Sequence, residues 1–113
     1  MIRKKLLIKN IKDIEIFNEN IKYRNKYIFN IELCGICLEN SPKYFRFLDY
    51  TGEIGIFKKK DLEIPNKRCL IFCNLYIKKE KIILYCTEFK IIDFYEGLFF
   101  TLESISLSKL ERK

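Results

Sequence analysis

The chain predicts a mainly β fold, a five-stranded Greek-key barrel of the OB type with a C-terminal α-helix. Three observations carry this. Over residues 45–48 and 54–57 apolar side chains recur at the period of two that half-buried strands require, with Phe45, Phe47, Ile54 and Ile56 on one face. Long apolar runs over 26–38, 68–77 and 82–92 supply three further strands. From Tyr95 the spacing turns helical: Leu98, Leu102, Ile105 and Lys109 follow one stripe, widened by Phe99, Phe100 and Leu110. Five short strands also suit an SH3-like barrel, but a long, bent first strand fits the OB type.

In chain order, residues 1–25 form an N-terminal extension packed on the barrel. Leu7, Ile11 and Ile14 have helical spacing, whereas Ile14 and Ile16 begin to alternate, so a short helix or turn leads into an irregular strand. The barrel spans 26–93. Its first strand contains Gly35, where a bulge or a close backbone approach is expected. Glu39-Asn40-Ser41-Pro42 makes a turn into the central hairpin. That hairpin turns at Asp49-Tyr50-Thr51-Gly52, where Asp49 and Thr51 can hydrogen-bond turn backbone and Gly52 can take a positive φ. Residues 58–67 read as a polar loop with one helical turn at 61–64, and Lys78-Lys79-Glu80-Lys81 joins the last two strands. Residues 94–113 form an interface helix from Glu96 to about Leu110.

At 113 residues the chain fits one domain with room for a core. No apolar run approaches the roughly 18 residues of a membrane span, and charge breaks the first 15 residues too soon for a signal-peptide core. The expectation is a reducing intracellular compartment without membrane association, in which the five Cys are free thiols. The chain has no His, only four Ser and four scattered Gly. That removes imidazole acid–base work, Ser-His and Cys-His nucleophiles and phosphate-cradling loops, so neither an enzyme nor a cofactor is expected. Cys34 and Cys37 with Cys69 and Cys73 could ligate zinc only if a bulge at Gly35 brought the first pair together. Small apolar side chains in a reduced core explain them better, and no metal is expected.

A net charge of +7 favours an anionic partner. If Phe45 and Phe47 point inward, Tyr44, Arg46, Leu48 and Phe57 point outward on the face where OB folds bind oligonucleotides. Lys43 and Lys58 border that face on one side, and Tyr76, Lys78, Lys79 and Lys81 on the other. Stacking on exposed rings with lysines on phosphates suits single-stranded nucleic acid. The alternative is that outward aromatics cover a protein neighbour and the lysines are solvated loops. Leu98, Phe99, Leu102 and Ile105 form an apolar arc wider than one contact with a small barrel can cover, which points to a partner interface.

The run IELCGICLE, the D-x-T-G hairpin at 49–52, the strands around KKEK and above all YEGLFFTLESI at 95–105 resemble the OB domain of the middle subunit of replication protein A and its telomeric counterpart in the CST complex. Glu96, Leu102, Glu103 and Ile105 match that family's C-terminal helix; Tyr95 stands where it has Asn, Phe100 where it has His, and Asn74 where a Gly is usual. The resemblance implies a nuclear, accessory single-stranded DNA-binding subunit acting in replication, repair or telomere maintenance. It implies assembly through the C-terminal helix with a larger OB-fold subunit and a small one. The family's N-terminal tail and winged helix have no counterpart in 113 residues, so an OB scaffold of a recombination complex that touches only protein remains the other reading.

Overall fold

The computed structural model describes residues 4–111, whose elements in chain order are β1 (Lys4–Lys5), a 3-10 helix (Ile8–Asp13), β2 (Ile14–Phe17), β3 (Asn20–Tyr23), β4 (Lys26–Tyr27), β5 (Asn30–Ser41), β6 (Tyr44–Asp49), β7 (Gly52–Lys58), β8 (Arg68–Lys78), β9 (Lys81–Ile91) and α1 (Phe94–Glu111). Residues 1–3 and 112–113 of the expected extension and helix lie outside the described residues, as do the side chains of Lys109 and Leu110. Strands pair in the order β5-β6-β7-β9-β8, and β8 returns to β5, so the five close into the expected barrel. Closure needs one parallel contact, Phe57 with Tyr85 and Lys58 with Cys86 between β7 and β9. The α1 helix is not long and apolar enough to cross a membrane.

The alternation of the sequence becomes the core directly. Phe45, Phe47, Ile31, Leu33, Ile56 and Ile71 are fully buried, with Phe45 and Phe47 edge to face at 6.1 Å. Each such side chain contributes about 1.5–3 kcal/mol by leaving water. The long strand β5 bends at a register shift between Cys37 and Glu39 rather than at Gly35. Gly35 has the other use an interior strand glycine can have, close approach: a Cβ there would collide with the Leu48 carbonyl and lie 2.9 Å from the Phe47 ring.

The D-x-T-G hairpin does more than turn the chain. Thr51 N–H donates to Asp49 Oδ1 at 2.7 Å, and the Thr51 hydroxyl donates to the same oxygen at 2.5 Å. Asp49 Oδ2 accepts from Ile8 N–H at 2.8 Å and Thr51 Oγ1 from Lys9 N–H at 3.0 Å, so this tip also satisfies two free donors at the start of the 3-10 helix. Gly52 does not use a positive φ; it pairs with Asp49 as ordinary strand. The loop after β7 has no helical turn: Asp61 takes φ 70 and Ile64 is driven into the core.

Residues 14–27 form a three-stranded antiparallel sheet, β2-β3-β4, instead of a single irregular strand. Ile14, Ile21 and Tyr23 face the core from it. Its turns, Asn18-Glu19 and Arg24-Asn25, and the Lys79-Glu80 turn of β8–β9 each place two successive non-glycine residues at positive φ. These are the two-residue hairpin turns whose twist matches the strands, here built without the usual glycine.

Candidate nucleic-acid interface

The β6–β7 hairpin sends Tyr44, Arg46 and Leu48 outward from one strand and Gly55 and Phe57 from the other. Tyr44 and Phe57 are cross-strand partners with rings edge to face at 5.5 Å. Tyr44 leans along β7 over Gly55, where any Cβ would run into its ring carbons. Parallel closure sets Tyr85 of β9 beside Phe57, and Tyr85 meets Tyr76 of β8 edge to face at 6.2 Å. The result is one row of aromatics, Tyr44, Phe57, Tyr85 and Tyr76, across four adjacent strands. Phe57 and Tyr76 are about half exposed, at 46% and 52%.

A groove of about 500 Å³ runs along the Phe57, Tyr85 and Tyr76 part of this row, with Lys43, Lys58, Lys60 and Lys78 on its walls. Beyond it, Lys78 and Lys81 stand opposite each other across the β8–β9 turn, with Lys79 exposed at its tip. Like charges in direct register repel, so that turn gains from an anion between them. Tyr85 and Lys60 extend the residues expected from the sequence. Tyr85 was hidden because its place depends on β7–β9 closure, which no local pattern announces.

Two cations differ from expectation. Lys58 borders the groove only from beneath: it is 5% exposed, and its ammonium donates to Asn40 Oδ1 and, at 2.7 Å, to the Leu62 carbonyl. It follows Ile54 and Ile56 on the inward face of β7, a parity that a loop beginning at residue 58 would not have had. Arg46 does face outward, but its guanidinium lies 2.6 Å from Glu53 and 3.8 Å from Glu39.

The two cysteine pairs do not converge on one point. Cys37 is buried inside while Cys34, an odd number of positions away, lies half-buried under α1. Among the described residues no three His, Cys, Asp or Glu converge as a metal site would need. Burial pushes the thiols up, Cys34 to about 11 against a pull from Arg68, and Cys69 to about 12. Cys73 is raised by its hydrogen bond to Cys86 and by burial.

At the far side, α1 starts at Asp93, whose carboxylate accepts from Glu96 N–H at 2.8 Å as a helix N-cap. Phe100, Gly97 and Ser104 are the buried face, set against β5, β8 and β1, with Lys5 on Glu103 at 2.5 Å. Leu98, Phe99 and Leu102 lie outside, 44%, 64% and 50% exposed, with Tyr95. Phe100 and the half-buried Ile105 therefore belong at least partly to the barrel, and the expected single stripe divides. Around Phe100 the seam is made of small residues, Gly97 and Ser104, so hydrophobic spacing could not tell the buried side from the outer one.

The ECU03_1140 family profile matches residues 31–107. The chain is 24% identical over 103 residues to "Uncharacterized protein ECU03_1140" of Encephalitozoon cuniculi (strain GB-M1), covering 91% of this chain and 88% of that protein. Among solved structures it is similar to a chain of a replication protein A heterotrimer bound to ssDNA, with TM-score 0.79, 16% identity and 98% of each chain covered. It is also similar to a chain of the S. pombe Stn1-Ten1 complex, with TM-score 0.77, 12% identity and 99% and 98% coverage. A chain of yeast RPA bound to ssDNA superposes with TM-score 0.67 at 20% identity, over 94% of this chain and 92% of that one. The fold is thus the OB fold of the replication protein A type, and the chain belongs to the ECU03_1140 family.

Proposed function

We propose that this chain is a non-enzymatic, accessory single-stranded DNA-binding subunit of a nuclear, heteromeric replication protein A-like or telomere-end complex, serving DNA replication, repair or chromosome ends. The observation that carries it is the aromatic row across β6, β7, β9 and β8, flanked by lysines. Bases stack on Tyr44, Phe57, Tyr85 and Tyr76, and Lys43, Lys78, Lys79 and Lys81 neutralise phosphates. Arg46 is available once its two carboxylates give way; Lys58 supports the loop beneath and touches no DNA.

Assembly runs through the outer face of α1, where Leu98, Phe99 and Leu102, bordered by Ile105, join helices of a larger and a small OB-fold subunit. Helix faces of this width and spacing pack well in bundles. The ion pairs that already engage Arg46 favour a second reading, in which the same aromatic row contacts only protein in a recombination complex. The test is a Phe57→Ala, Tyr85→Ala variant of the assembled complex. The DNA-binding reading expects assembly to persist and oligonucleotide affinity to fall roughly tenfold or more. Unchanged DNA affinity with a lost partner supports the scaffold.

A further inference from the structure

The outer face of the β2-β3-β4 sheet is not used by the core, yet it is aromatic, with a cation at its centre. Phe17 and Tyr27 are each more than half exposed. The Lys22 ammonium lies between them, 4.4 Å from the Phe17 ring and 4.8 Å from the Tyr27 ring. Of the cations between Asn20 and Tyr27, Lys22 lies on this face, whereas Lys26 is opposite Tyr23 in register and the Arg24 guanidinium lies 5.2 Å from the Tyr23 ring, so both belong to the other side of the sheet. Glu15, opposite Lys22 in register, is a carboxylate on the same face.

This face adjoins the barrel groove. Phe29, 69% exposed, sits on the segment that joins the two sheets. Its carbonyl accepts from Leu75 N–H at 2.9 Å, one residue from Tyr76, and Ile28 N–H donates to Ile21 on β3 at 3.0 Å. Only about two strand spacings, roughly 10 Å, therefore separate the strand of Tyr76 from that of Lys22.

We propose that single-stranded nucleic acid leaves the barrel row at Tyr76, passes Phe29 and continues onto the β2-β3-β4 sheet, where Phe17 and Tyr27 stack on bases and Lys22, held between the two rings, meets a phosphate. The extension rests on the barrel site being a nucleic-acid site. Rings with a cation held between them suit a ligand that alternates flat bases with anionic links, since each base needs a π-face and each phosphate a positive charge. An apolar protein helix would have to take the Lys22 ammonium out of water.

The test compares the full chain and a Phe17→Ala, Tyr27→Ala variant on oligothymidylates of about 5 and about 20 nucleotides, one within and one beyond the roughly 4 to 16 that one such barrel covers. The expected result is a variant that binds the short oligomer within about twofold of the parent but loses roughly tenfold or more on the long one. Photo-cross-linking of the unaltered chain, which does not depend on a variant folding, should label residues 14–29 with the long oligomer only. Equal loss on both lengths, no loss on either, or cross-links confined to the barrel overturns the extension. So does a variant that keeps DNA affinity but loses its partner subunit, since the face is then a protein contact. If the unaltered chain does not bind the short oligomer, the barrel reading falls and the extension with it. Tight short-oligomer binding with no length-dependent loss overturns the extension alone.

Discussion

Lys58→Met separates a structural lysine from a DNA-binding one. The substitution keeps an apolar stem inside β7 and removes the ammonium that ties Asn40 and the Leu62 carbonyl together. Asn40 in turn donates to the Ile64 carbonyl at 3.2 Å, so these bonds anchor the loop after β7 to the barrel. An acceptor left without a donor costs about 1–3 kcal/mol, and the low end applies because Asn40 reaches solvent and Leu62 is only half-buried. Two acceptors give about 2 kcal/mol, less what is returned by no longer holding an ammonium out of water, for a net loss of about 1–2 kcal/mol. At roughly 4–8 °C per kcal/mol for a domain near this size, Tm should fall by about 5–10 °C. Thermal melts measure that loss, and DNA titration well below the melt should match the parent. A variant that melts like the parent but binds DNA more weakly would refute the inward assignment.

Three further outcomes follow from the same geometry. Leu98→Glu with Leu102→Glu should leave the isolated chain folded, with Tm within a few degrees, because both side chains are about half exposed, yet abolish co-purification of partner subunits. If it unfolds instead, the outer helix face is core. Gly35→Ala should cost about 2 kcal/mol or more in chemical denaturation, since the obstacle is the Leu48 backbone; a neutral result contradicts the close approach. For Cys34 the folded chain holds its proton more tightly than the unfolded one, so its contribution to stability is complete below the ordinary thiol value of 9.0, declines above it and has gone past about 11. Cys34→Ala should therefore flatten the fall in stability between pH 9 and pH 11, and an unchanged slope would assign that fall to other groups.

Legibility in the sequence followed the reach of each signal. Phe45, Phe47 and Ile56 announced their strands because one local period decided which face was buried. The positions of Tyr44, Phe57 and Tyr76 followed from the same parity. Tyr85 needed a long-range parallel pairing, and Lys58 needed the knowledge that β7 runs one residue past Phe57. The small sheet over residues 14–27 escaped because its turns use Asn-Glu and Arg-Asn in left-handed backbone, where Asn-Gly would have been the recognisable pair. The docking face of α1 escaped because Gly97 and Ser104 carry no hydrophobic signature, so the exposed Leu98 and Leu102 dominated the pattern.

The most direct test of the central claim is equilibrium binding of the unaltered chain to a single-stranded oligonucleotide and to its duplex over a salt series. With Lys43, Lys78, Lys79 and Lys81 each on a phosphate, the account predicts single-strand binding whose log affinity falls against log salt with a slope near −3, about 0.7 per contact. The duplex, whose bases are stacked away from Tyr44, Phe57, Tyr85 and Tyr76, should bind more weakly at every salt concentration. No measurable single-strand binding at low salt, or equal affinity for the duplex, would contradict it.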